Sequence, residues 1–301
     1  MIEIMRLPNF FLIGAPKAGT TSLYHYLDQH PDIYLSPLKE PTYFAPEAVQ
    51  PTTAEESELR AWIAGPMLEK REHGTVRDWA DYVQLFRNAR SEKAIGEASV
   101  AYLGSTVAPA RIKDFNPAAR VLIILRNPVD LLFSYYKWAH GFNRTNGSFR
   151  QWVEGERTAE ARRDVPGGRI WTGRYATHLR RWLGHFPREQ VHVILFDDYA
   201  RNPAAELQSV FDFLRVDTDF KVDTSLRYNE TRVPRSRFLY RQLRRVGQVL
   251  PKRLRGWGRE RMQSPSHLRP SSEERAFARE IYAEEMRVLE VLLARDLSTL
   301  R

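Results

Sequence analysis

Near the start of the chain, Phe10-Phe11-Leu12-Ile13-Gly14-Ala15-Pro16-Lys17-Ala18-Gly19-Thr20-Thr21-Ser22 puts four residues between two glycines, which is the spacing of a phosphate-binding loop. Its lysine is out of place for a nucleotide kinase. Thr20-Thr21 follow the second glycine where such an enzyme has Lys-Ser or Lys-Thr, and Lys17 precedes that glycine by two positions. An apolar strand entering the turn and a helix leaving it over residues 20–29 aim backbone N–H groups and a positive helix end at an anion. A phosphorylated ligand is therefore expected on Lys17, Ala18, Gly19, Thr20, Thr21 and Ser22.

Two further clusters carry chemistry. Val121-Leu122-Ile123-Ile124-Leu125 is a continuous apolar run of the kind found in buried parallel strands, and Arg126-Asn127-Pro128 follows it. Asn127 can cap a helix and Pro128 suits its first position. Arg126 then lies at the carboxyl end of a strand, where open α/β sheets take ligands, and Ser134 lies two turns into the helix. A guanidinium suits phosphate because its planar fork donates two parallel bonds and never deprotonates. The other cluster is Ser36-Pro37-Leu38-Lys39-Glu40-Pro41-Thr42-Tyr43-Phe44, expected in a loop at the sheet's edge after the short apolar run Ile33-Tyr34-Leu35. A carboxylate flanked by Lys39 and the Lys17 loop is available as a modest base.

Read whole, Pro16-Lys17-Ala18-Gly19-Thr20-Thr21-Ser22-Leu23 resembles the 5′-phosphosulfate loop of sulfotransferases that use 3′-phosphoadenosine 5′-phosphosulfate (PAPS), a family with a P-loop kinase-like fold. Arg126 and Ser134 match that family's 3′-phosphate pair in type and spacing. Lys39-Glu40 with Phe44 resembles the Lys-Glu-x-x-x-Phe segment of heparan-type and related carbohydrate sulfotransferases, in which the Glu takes the acceptor's proton. The resemblance implies Glu40 as base, Lys17 as the cation at the leaving phosphate, Lys39 at the sulfuryl oxygens and Phe196 against the adenine, although a Phe at that position also reads as core. It implies a PAPS-dependent sulfotransferase with an acceptor hydroxyl or amine on a saccharide, glycolipid or related metabolite; no essential metal is expected, since the site has no Walker-type Ser/Thr-plus-Asp arrangement to hold magnesium and cationic side chains can take its place. Gly96-Glu97-Ala98-Ser99-Val100-Ala101-Tyr102 resembles the family's Gly-Glu-Lys-(Ser/Thr)-Pro-x-Tyr segment. Here Ala98 stands for the usual Lys and Val100 for the usual Pro, and Glu97 reads as a helix-capping acid in preference to a second cleft carboxylate. Tyr228-Asn229 and Arg232-Val233-Pro234-Arg235 resemble a segment leading into a lid over the nucleotide.

The elements needed to position these residues alternate along the chain: strands over 9–14, 93–97, 120–125 and 191–196, and helices over 19–29, 104–115, 128–142, 173–186 and 203–214. That alternation predicts a doubly wound parallel sheet of about five strands flanked by helices. With 301 residues and 43% apolar content, one sulfotransferase domain over 1–301 is expected. Residues 46–90 read as an acceptor-side insertion and 232–270 as a basic lid.

No cysteine is present, which excludes disulfides and thiolate chemistry, and the eight histidines show no metal-ligand spacing. His140, just past the Arg126 helix, is the one placed to approach an acceptor. The chain enters its first core strand at once, without a signal peptide or apolar span, so a cytoplasmic protein is expected, peripheral to a membrane at most. Residues 232–261 hold eleven Lys or Arg against one acid, Glu260, so the formal net charge of +9 resides in that stretch. Its apolar residues recur at helical spacing, which suits an anionic acceptor or a membrane surface, while no nucleic-acid motif accompanies the charge. Two rival readings are an ATP-dependent small-molecule kinase on the same fold and a non-catalytic basic protein binding nucleic acid or membrane.

Overall fold

A computed structural model of the chain describes residues 6–48, 51–142, 144–163, 167–225, 232–234, 263–265 and 268–297. In chain order the elements are β1 (Phe10–Gly14), α1 (Thr20–Leu27), β2 (Ile33–Leu35), α2 (Thr53–Ala64), α3 (Trp79–Gln84), β3 (Ala94–Ala98), α4 (Ala101–Gly104), α5 (Ala108–Phe115), β4 (Arg120–Leu125), α6 (Pro128–Gly141), α7 (Phe149–Ala161), α8 (Tyr175–Leu183), β5 (Val191–Leu195), α9 (Phe196–Arg201), α10 (Pro203–Leu214), β6 (Arg232–Pro234), β7 (Gln263–Pro265) and α11 (Ser272–Leu293). They divide into two compact units. The first comprises Met1–Arg126, Tyr175–Tyr228 and Val288–Arg295, and the second Asn127–Arg174, Asn229–Arg287 and Asp296–Arg301.

The first unit is built on a five-stranded sheet in the order β2-β3-β1-β4-β5, with every neighbouring pair parallel. Strands buried on both faces must be apolar throughout, and β1, β3 and β4 meet that condition along nearly their whole length. β1 is central, so the loop that follows it emerges where the strand order reverses, which is where such sheets bind ligands. Gly96 lies opposite Phe10 in the β1–β3 register, and a Cβ there would stand 2.4 Å from the Phe10 ring; the missing side chain lets that ring lie over β3. Between Leu12 and Gly14 the pairing of β1 with β4 slips, which ends the strand and turns the chain into the loop.

Differences from the expected elements have local causes. The helix expected over 104–115 begins only at Ala108, as α5, because the Ser105 hydroxyl accepts the N–H groups of Val107 (3.2 Å) and Ala108 (2.9 Å) and Pro109 lies in the first turn of α5; α4 ends before it, at Gly104. In the 46–90 stretch the structure has α2 and α3. A capping box starts α2: Glu55 N–H donates to the Thr52 hydroxyl and Thr52 N–H donates to Glu55 Oε2 at 2.8 Å. β5 ends at Leu195, and Phe196 is the first residue of α9.

In the second unit, Asn127 caps α6 by accepting the N–H groups of Val129 (2.9 Å) and Asp130 (3.4 Å), with Pro128 at the first helical position. Phe133 and Tyr136 of α6 pack against Phe149 and Trp152 of α7 at ring separations of 5.2 to 5.7 Å. β6 and β7 pair antiparallel. Of the expected lid segment, Arg232-Val233-Pro234 forms β6, whereas Tyr228, Asn229 and Arg235 and nearly all of the basic 232–261 stretch lie outside the described residues. Among the described residues, no helix is long and apolar enough to cross a membrane.

Candidate active site

The loop between β1 and α1 has its shape fixed by backbone conformation. Lys17 and Gly19 both adopt positive φ, 60° and 89°, and Ala15 N–H donates to the Ile124 carbonyl at 2.6 Å. Gly19 is required twice over. Its φ lies in the left-handed region, and a Cβ there would come within 3.1 Å of the Phe196 ring. The first bond of α1 runs from Leu23 N–H to the Gly19 carbonyl at 3.1 Å. The leading N–H groups of the helix therefore have no carbonyl within it, and they lie at its positive end beside the loop. Thr20 and Thr21 are buried and Lys17 is exposed.

Arg126 leaves the end of β4 and donates from Nη1 to the Lys17 carbonyl at 3.2 Å, while its guanidinium lies 4.9 Å from the centre of the half-buried Phe196 ring. Lys17, Gly19, Arg126 and Phe196 are thus brought together at the carboxyl ends of β1, β4 and β5. Ser134 is placed in α6 of the second unit, two turns after Pro128 and buried. His140 sits in the last turn of the same helix, its ring 5.6 Å from that of Tyr136.

The second loop, residues 36–44, follows edge strand β2. Lys39 Nζ pairs with Glu40 Oε1 at 3.0 Å; the Lys39 side chain is 5% exposed and that of Glu40 22%. Of the pair, the carboxylate is the member open to an incoming group. Although Lys17 is exposed as a residue, its ammonium is held below the usual lysine range, first by the protein around the charged end and then by Lys39, with Glu40 pulling the other way. Lys17, Lys39 and Glu40 therefore share one electrostatic neighbourhood although they come from two loops.

Glu40 and Thr42 have φ of 67° and 52°, conformations that cost energy for residues with a side chain and persist only where surroundings impose them. Those surroundings are extensive. Glu40 N–H donates to the Ala98 carbonyl (2.7 Å), Thr42 N–H to the Ser99 hydroxyl (3.1 Å) and Phe44 N–H to the Tyr102 hydroxyl (3.2 Å). On the other flank, Lys39 N–H donates to the Arg71 carbonyl and Val76 N–H to that of Pro41. The segment before α3 therefore runs alongside the loop.

Glu97 differs from its expected role as a helix cap. It lies within β3, wholly buried, and accepts hydrogen bonds from Tyr102 (2.8 Å) and Tyr82 (3.0 Å) on Oε1 and from Ser99 (3.2 Å) on Oε2. Burial raises its pKa to about 7, against the three hydroxyls, which lower it. Glu97 is the lone acid of the otherwise apolar strand Ala94–Ala98, and a lone acid in such a run is itself the signal of a satisfied buried carboxylate.

A family model described as the sulfotransferase family matches residues 8–220. The crystal structure of a sulfotransferase from Alicyclobacillus acidocaldarius is similar over 98% of this chain and 99% of that one, with a TM-score of 0.71 and 32% identity. Human bifunctional heparan sulfate N-deacetylase/N-sulfotransferase 2 is 28% identical over 229 residues, covering 75% of this chain and 24% of that protein. Rat carbohydrate sulfotransferase 15 is 26% identical over 263 residues, covering 70% of this chain and 44% of that protein. The chain thus spans less than half the length of these two curated relatives.

Proposed function

The chain belongs to the sulfotransferase family, and from that premise we propose that it takes a sulfuryl group from PAPS and passes it to a hydroxyl or amine of a saccharide, glycolipid or related metabolite. What supports this reading is that the Lys39–Glu40 pair acts on the charge of the Lys17 ammonium, while Arg126 joins the Lys17 loop to Phe196.

The residues suit a bisphosphorylated nucleotide. Donors at the loop are cationic or N–H, and the bare Gly19 lets backbone approach a ligand beside the Phe196 ring. PAPS, when bound, supplies an activated sulfuryl group on its 5′-phosphate. Lys17, together with the N–H groups of 19–22 and the Thr20 and Thr21 hydroxyls, stabilises charge on the departing phosphate oxygen. Glu40 takes the acceptor's proton, with Lys39 fixing its Oε1 and adding positive charge for the sulfuryl oxygens. We assign the 3′-phosphate to Arg126 and, on the sequence match, to Ser134, and the adenine to Phe196. Magnesium is not required in this scheme, since the cations come from side chains. The names of the heparan sulfate and carbohydrate sulfotransferases support a saccharide as acceptor.

The test is calorimetric titration of the protein with 3′-phosphoadenosine 5′-phosphate (PAP), ATP and AMP without magnesium. Binding of PAP in preference to the other two, weakened about 10- to 100-fold in Arg126→Ala, is the expected result. Preference for ATP, or no nucleotide binding, would overturn the proposal.

A further inference from the structure

Three consecutive residues of the base loop are each tied to a different partner of one buried carboxylate. Thr42 N–H donates to the Ser99 hydroxyl, which donates to Glu97 Oε2. Tyr43 stacks on Tyr82, with ring centres 4.6 Å apart and planes 22° from parallel, and the Tyr82 hydroxyl donates to Glu97 Oε1. Phe44 N–H donates to the Tyr102 hydroxyl, which donates to the same Oε1. Glu40 is tied to the strand carrying Glu97 through its N–H to the Ala98 carbonyl.

We propose that Glu97 is the positioning residue for Glu40: its carboxylate fixes Ser99, Tyr82 and Tyr102, and these hold residues 42–44, Thr42 and Phe44 through two of the hydroxyls and Tyr43 through the Tyr82 ring, so that the left-handed turns at Glu40 and Thr42 present the base. This rests on the reading of Glu40 as the base. Polarity sets the direction of each bond in this network. A hydroxyl has one proton to give, and an ionised carboxylate only accepts. With Ser99 and Tyr102 donating to Glu97, their lone pairs are left for the N–H groups of Thr42 and Phe44. A Gln at 97 keeps one oxygen for the tyrosines but aims an N–H at Ser99, which already receives Thr42 N–H, and so turns the Ser99 proton from residue 97 to the neighbouring Tyr102 hydroxyl, where it competes with Phe44 N–H. In a wholly buried site that conflict has no water to relieve it, and the strained loop is where the structure yields.

Glu97→Gln, Tyr102→Phe, Ser99→Ala and Glu40→Gln are compared with the parent protein by three readouts. PAP affinity is measured by calorimetry, amide hydrogen exchange across 10–44 by NMR, and turnover from PAPS with de-N-sulfated heparan sulfate as acceptor probe. In Glu97→Gln, exchange at Thr42 and Phe44 is expected to accelerate about tenfold or more, with Ala15 and Ala18 unchanged and PAP affinity within about twofold. Turnover falls about 10- to 100-fold with the donor KM held. Adding Tyr102→Phe to Glu97→Gln should lower turnover by less than the product of the two single effects, since both act through one network. Unchanged exchange at Thr42 and Phe44 in Glu97→Gln, or loss of PAP affinity in step with turnover, overturns the inference. Full turnover in Glu40→Gln overturns instead the base assignment on which it rests.

Discussion

The two loops of the candidate site are held in place by different means. The loop at Lys17 is shaped by its own residues: a bare Gly19 at φ 89°, packing against Phe196, and a helix beginning at the next residue. The loop at Glu40 has no glycine at its left-handed positions. Its conformation is imposed by hydroxyls and carbonyls of residues 98–102 and by the segment before α3. A locally encoded loop gives a stable anion cradle. A loop held at a distance can place a carboxylate with direction, at the cost of depending on residues that never meet the substrate.

The contrast predicts that the two loops fail differently. Lys17→Ala should lower turnover about 10²- to 10³-fold and weaken PAP binding as well, because the ammonium meets charge in both bound and reacting states. Glu40→Gln should lower turnover about 10²- to 10⁴-fold and leave PAP affinity nearly intact, because a base acts only on the acceptor. Steady-state kinetics beside PAP calorimetry checks both. Equal effects of the two variants on PAP affinity would erase the division of labour.

A smaller effect is expected at Gly19. Alanine there must adopt positive φ and place its Cβ 3.1 Å from the Phe196 ring, a ring that also carries the Arg126 guanidinium. Gly19→Ala should destabilise the protein by about 1–3 kcal/mol in denaturant unfolding and weaken PAP binding, with amide exchange at Thr42 and Phe44 unmoved. Exchange spreading to the base loop would show that the two loops are not independently held.

The same contrast decides what was legible in the sequence. Gly14, Lys17, Gly19 and the apolar run of β1 lie within ten residues, so their chemistry could be read from spacing, as could Arg126 at the end of β4 and the Asn127-Pro128 helix start. The alternation of apolar runs and helical patterns likewise led to a parallel sheet of five strands. What supports Glu40 could not be read that way. Ser99 and Tyr102 lie 57 and 58 positions from the residues they hold, and nothing local to Thr42 announces them. The helix α2 is a different case: its start signal, the capping box Thr52-x-x-Glu55, is local and lies inside the 46–90 stretch that reads as an insertion.

A graded effect, spread over several pH units, separates the loops by pH. Glu97 faces Tyr82 of α3, Tyr102 of α4 and Ser99; both phenols are pushed well above their usual range, by burial first and then by the Glu97 charge, and so remain donors. The Glu97 carboxyl titrates at about 7 in the fold, above its ordinary value of 4.5. Between those values the folded chain holds a proton that the unfolded chain has lost, so stability from this group falls as pH rises, by up to about 3 kcal/mol. His192 works in the opposite direction: burial depresses it to about 4, so its contribution grows as pH rises toward its ordinary value of 6.5. The parent protein alone would show the two partly cancelling. The difference in unfolding free energy between the parent and Glu97→Gln removes His192, common to both, and should decline from pH 4.5 to 7. Acid that steadies the fold in this window also takes one acceptor position from the three hydroxyls, so exchange at Thr42 and Phe44 of the parent should quicken as pH falls through 7, once corrected for intrinsic exchange, while Ala15 and Ala18 do not follow. A flat stability difference would place the Glu97 proton outside this range, and parallel behaviour of the two loops would mean that one network holds both.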